Sequence, residues 1–140
     1  MRKNFHEIFE EVEIAPSTAK KIDVLRKNFS PQLVEFLRNV YNPNVRYCIK
    51  ELPKYKVQDQ PLGMSYTSID QELKRAYLFE VVHPKKPANI TSKRLEELLI
   101  QVLENLETKE AKIFGDMLHK KLDYPSMSRA LAETAFPNTI

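Results

Sequence analysis

Glycine is almost missing from this chain. Gly63 and Gly115 are the only two in 140 residues and stand far apart, so no glycine-rich loop is present to cradle a nucleotide phosphate. Cysteine is rarer still. Cys48 is alone, which excludes a disulfide framework within the chain. Its simplest reading is a buried core thiol in a reducing compartment. His6, His83 and His119 are widely separated, with no cysteine or carboxylate at ligand spacing, so no metal site is expected. No serine sits in a nucleophile elbow. Carboxylates such as Glu10 and Glu11, or Glu96 and Glu97, are consecutive on a helix and do not face each other. Long apolar runs are also lacking. The stretch near Leu98–Leu103 is far too short to cross a bilayer, and the leading segment "MRKNFHEIFEEVEI" carries charge throughout, unlike a signal peptide. These absences point to a cytoplasmic protein with no cofactor and no membrane association.

What is present is helix. Hydrophobic residues make up 42% of the chain and charged residues 29%, enough for a core and a soluble surface, so disorder is not expected over most of the length. "NFSPQLVEFLRNVY" places Ser30 at an N-cap and Pro31 at the first helical position, where its missing N–H costs nothing. Leu33, Val34, Leu37 and Val40 or Tyr41 then share a face. A second helix is expected from Thr67 or Ser68, with Ile69, Leu73, Ala76 and Tyr77 inward. A third begins at Thr91 or Ser92 and carries a wide leucine stripe. A fourth, "TKEAKIFGDMLHKKL", carries Ile113, Phe114, Met117 and Leu118, with His119 in its last turn, favourable to the helix dipole. Phe5–Ile14 and Ser17–Asn28 add two shorter helices separated by Pro16. Residues 45–52 read as either a helix or an extended piece, bracketed by Pro43 and Pro53. The expected fold is all-α: a compact single-domain bundle of about seven or eight helices over residues 1–140, with 1–14 as a separable leading helix. Leu33, Leu37, Leu73, Tyr77, Leu99, Leu103, Ile113, Phe114 and Leu131 are the expected core.

Charge is distributed unevenly. From Lys20 to Lys56 nine basic residues face three acidic ones, a local net of +6, whereas the first nineteen residues carry a net of −2. That asymmetry predicts one sided, basic surface.

Several motifs fall into an order: "EIAPSTAKKIDVLRKN", "VRYCIKELPK", "PLGMSYTSID", a leucine-rich helix, then "IFGDMLHKKLDYPSMSRALAETAFPNTI". This order resembles the N-terminal helical domain of the ATP-dependent DNA ligases of T-even-type phages, over about residues 13–140. The matching segments are Tyr47–Lys54, Gly63–Thr67, Leu118–Leu122, Tyr124–Ser128 and Ser128–Pro137. The ligases continue into a domain whose Lys-x-Asp-Gly motif carries the adenylated lysine. Here Lys21-Ile22-Asp23 is followed by Val24, and the sequence stops where that domain would begin. The resemblance therefore implies a non-enzymatic phage protein, acting as a monomer in the cytoplasm of the infected host cell. It would bind duplex or nicked DNA without sequence preference and serve replication, repair or ligation. Two departures stand out: Tyr124 and Pro125 occupy the family's glycine turn, and Lys120 and Lys121 replace its arginines, losing the bidentate fork.

The DNA contacts implied are Lys50, Lys54, Lys56, Lys120, Lys121, Ser126, Ser128 and Arg129. Lysines meet phosphates as point charges, and hydroxyls and helix N-termini add donors. Arg129, early in its helix, opposes the dipole unless an anion sits there. The alternative is an adaptor that binds a sliding clamp, a ligase or a polymerase through exposed Phe5, Ile8, Phe9 and Val12 on the leading helix.

Overall fold

The computed structural model describes residues 3–56 and 67–140. The elements are α1 (Phe5–Ile14), α2 (Thr18–Lys27), α3 (Pro31–Tyr41), α4 (Ile69–Glu72) continuing as a 3-10 helix (Leu73–Phe79), α5 (Ser92–Asn105), α6 (Thr108–Leu118) and α7 (Arg129–Ala135). The chain is all-α. Among the described residues the one β-type pairing is an isolated antiparallel bridge, Tyr47 to Glu80. Most of the turn expected at Gly63–Thr67 lies outside the described residues.

Local chemistry sets the helix starts. The side chains of Ser17, Ser30, Thr91 and Ser128 accept from the N–H groups of Lys20, Leu33, Arg94 and Leu131, each cap contributing about 1 kcal/mol. Pro31 follows Ser30 at the first helical position. Past α4 the spacing changes. Leu73, Ala76 and Phe79 are three apart and all buried, and the 3-10 winding stacks residues i and i+3 on one face. Tyr77 falls off that face. It is half-buried and lies against His83 at 5.1 Å between rings, so its place in the expected core passes to Phe79.

The remaining expected core residues are buried. α1 is not a detachable leader. Phe5, Ile8, Phe9 and Val12 are at most 3% exposed, and the Phe9 ring sits 5.8 Å from Phe36 and 5.6 Å from Tyr124. This overturns the expected adaptor surface on α1, because its apolar stripe is spent on α3 and the loop after α6. Residues 45–52 form no helix: the chain makes its β-bridge at Tyr47 and bends at Lys50 and Glu51. Alternation there turns Tyr47 and Ile49 inward and leaves Cys48 exposed, so the expected buried thiol is a surface thiol.

Candidate functional site

The non-helical segment 46–56 carries three of the expected contact residues. It is held at one end by Cys48 N–H to Phe79 O (2.8 Å) and Val81 N–H to Arg46 O (2.8 Å). Further along, Leu52 packs against α6 where Gly115 has no side chain. A Cβ built there would lie 2.7 Å from Leu52 Cδ1. Lys50, Lys54 and Lys56 are exposed. Lys50 lines a cleft of about 340 Å³ with Ser92 and Glu96 of α5. The Lys56 N–H donates to Glu104 Oε2 at 2.8 Å.

The other group follows α6. Lys120 has φ 62°, its N–H donates to Met117 O (3.0 Å), and the Lys121 N–H donates to Asp116 O (3.1 Å). This is a Schellman ending with lysine in the left-handed position that usually takes glycine. The Lys120 side chain turns inward. Nζ donates to Asn39 O (2.5 Å) and Asn42 O (2.8 Å) at the end of α3 and lies 5.8 Å from the Tyr47 ring centre. Burial pulls its ammonium down to about 8, with the Glu80 charge opposing. Lys120 thus occupies a helix C-terminus and does not stand free for a phosphate. Lys121 is exposed.

Arg129 also has its anion already. Its Nε lies 2.8 Å from Glu133 Oε1, one turn on, so its position early in α7 needs no phosphate. Ser128 is the α7 cap, its Oγ accepting from Leu131 N–H at 3.1 Å. Ser126 donates its N–H to Glu13 Oε1 at 2.6 Å. Both serines line a cleft of about 320 Å³ with Thr18 and Lys21 of α2. His119 stands one residue past α6, as its C-cap.

Of the expected contact residues, Lys50 lies in a cleft beside α5 and the two serines in another beside α2. The contacts of Lys120 with Tyr47 and of Leu52 with Gly115 join the two segments that carry them. Two internal roles escaped the sequence. Lys21 Nζ donates to Val12 O and Ala15 O (both 2.9 Å) at the end of α1. Arg26 donates to Thr134 O (2.9 Å) and Ala135 O (3.1 Å) at the end of α7. Each serves a helix more than a turn away in sequence, so no local pattern announces it. Among the described residues no group of three His, Cys, Asp or Glu is placed to hold a metal ion, and no helix is long and apolar enough to cross a membrane.

Residues 8–124 match the family model described as a family of unknown function, DUF6433, and the chain belongs to that family. No curated protein matches it.

Proposed function

We propose that this chain is a non-enzymatic module that binds duplex DNA weakly and without sequence preference. The observation that supports it is a division among the lysines. Lys50, Lys54, Lys56 and Lys121 are exposed, and their ammonium groups form no ion pair among the described residues. Lys21 and Lys120, by contrast, are spent on helix ends. Four unpaired ammonium groups on two segments that touch each other, through Lys120 and Tyr47 and through Leu52 and Gly115, suit a polyanion with one charge every ~1.7 Å, whose non-specific affinity grows with the number of phosphates neutralised. Ser126 and Ser128 add hydroxyls on the neighbouring loop.

The test is duplex affinity from low to moderate salt, by fluorescence anisotropy. A dissociation constant of ~10⁻⁴–10⁻⁶ M at physiological salt is expected, with a log–log slope of about −3 for three or four neutralised phosphates. Lys121→Ala should reduce that slope by ~1 with stability unchanged. No binding at low salt, or wild-type binding after Lys50, Lys54 and Lys121 are all replaced by alanine, would overturn the reading.

A further inference from the structure

Val81 and Val82 are 53% and 82% exposed. They follow the 3-10 helix and line a groove of about 360 Å³ with Lys86, Pro87, Ala88 and Ile90. The groove is preformed. The turn beside it is closed by Lys86 N–H to His83 O (3.0 Å) and Lys85 N–H to His83 Nδ1 (3.0 Å), so a ligand would pay little ordering entropy.

Lys86 is the one Lys, Arg, Asp or Glu side chain among the residues that line the groove. Residues 81–95 contain Lys85, Lys86, Lys93 and Arg94 and no Asp or Glu. Arg46 lies directly opposite Val81 in the antiparallel pairing, on the same face. Lys86 Nζ is fixed at the groove by Glu80 O at 2.6 Å. Arg94 is paired with Glu97, but Arg46, Lys85 and Lys93 form no ion pair among the described residues.

We propose that this groove docks a short acidic peptide of another protein. An aliphatic or aromatic side chain seats on Val81 and Val82, and flanking carboxylates meet Arg46, opposite Val81, and Lys85, in the turn beside the groove. Exposed valines with cations beside them favour such a peptide over nucleic acid, whose backbone offers the valines nothing to bury. A second copy of this chain, itself net positive, is disfavoured by like charge. The inference goes beyond the DNA reading and uses different residues.

The experiment is selection of displayed random short peptides against the full chain, followed by anisotropy with the enriched peptides made synthetically. Enrichment of Asp and Glu around one or two Leu, Ile or Phe is expected. Val82→Asp should weaken binding about tenfold by placing a charge against the apolar side chain. Arg46→Glu should weaken it similarly, whereas Lys121→Ala should leave it unchanged. Absence of acidic–apolar enrichment, or equal binding by Val82→Asp, overturns the proposal. So does a Val82→Asp effect confined to duplex DNA binding, or self-association of the wild type that Val82→Asp abolishes.

Discussion

Lys120 shows how one side chain can offset a poor backbone choice. A non-glycine residue in the left-handed region costs ~1–2 kcal/mol. The side chain recovers it by supplying a charged donor to two carbonyls at the end of α3. Two substitutions separate the terms. Lys120→Met keeps the strain and loses the donor, so urea unfolding should show a loss of ~1–3 kcal/mol. Lys120→Gly loses the same donor but relieves the strain, and should be the more stable variant by ~1 kcal/mol. Equal stability of wild type and Lys120→Met would show that the ammonium does not act as a cap. Nothing in "HKKLD" distinguishes Lys120 from Lys121. The distinction comes from φ at one residue and from α3, eighty positions earlier. That is why the expected phosphate contacts included both. Arg129 was legible only in part. Its unfavourable place near a helix start was visible, but the partner one turn on, Glu133, answers it internally.

At the scale of elements, α1 and α6 are joined by a buried acid–base pair. Glu110 Oε1 accepts the Phe5 N–H at 3.1 Å, at the start of α1, and Glu110 Oε2 lies 3.5 Å from His6 Nδ1. Neither His6 Nδ1 nor Glu110 Oε2 has any other hydrogen-bond partner. Burial opposes charge on His6, but the hydrogen bond and charge of Glu110, with the charges of Glu107 and Glu10, outweigh it and raise its pKa above the ordinary 6.5. A group with a raised folded pKa stabilises fully below its unfolded value and loses that contribution as pH rises through the folded one. Unfolding free energy should therefore decline on the alkaline side of 6.5, and His6→Gln should flatten that decline. An identical pH profile in both proteins would refute the pairing. The helix spans themselves were largely legible. Phe5–Ile14 matches α1 residue for residue, and the starts of α2, α3, α5 and α7 sit at the serine or threonine caps. The destination of the α1 stripe was not legible, because periodicity says that a face is apolar and not whether the fold or a partner covers it.

For the whole molecule, every core residue named from spacing is buried, Tyr77 excepted. Leu99 is fully buried in the middle of α5, and Leu99→Ala should lower unfolding free energy by ~2–5 kcal/mol in denaturant titration. A loss under ~1 kcal/mol would mean that the interior can collapse around the missing side chain. The basic asymmetry of residues 20–56 was real in sequence but divides in space. Lys21 and Arg26 close helix ends within the bundle, so a charge count overstates what that stretch presents to a polyanion.

The seat that α2 provides has a consequence for synthesis. α2 packs against both α1 and α7, and Arg26 reaches a carbonyl 109 residues further along. On a ribosome adding ~5–20 residues per second, α1 and α2 emerge and can pair, but the other flank of α2 stays bare until α7 leaves the exit tunnel. For roughly 5–20 s the nascent chain exposes the place that α7 will fill. A holding chaperone has that interval in which to bind it, and a stall before α7 leaves a nearly complete bundle open along one side.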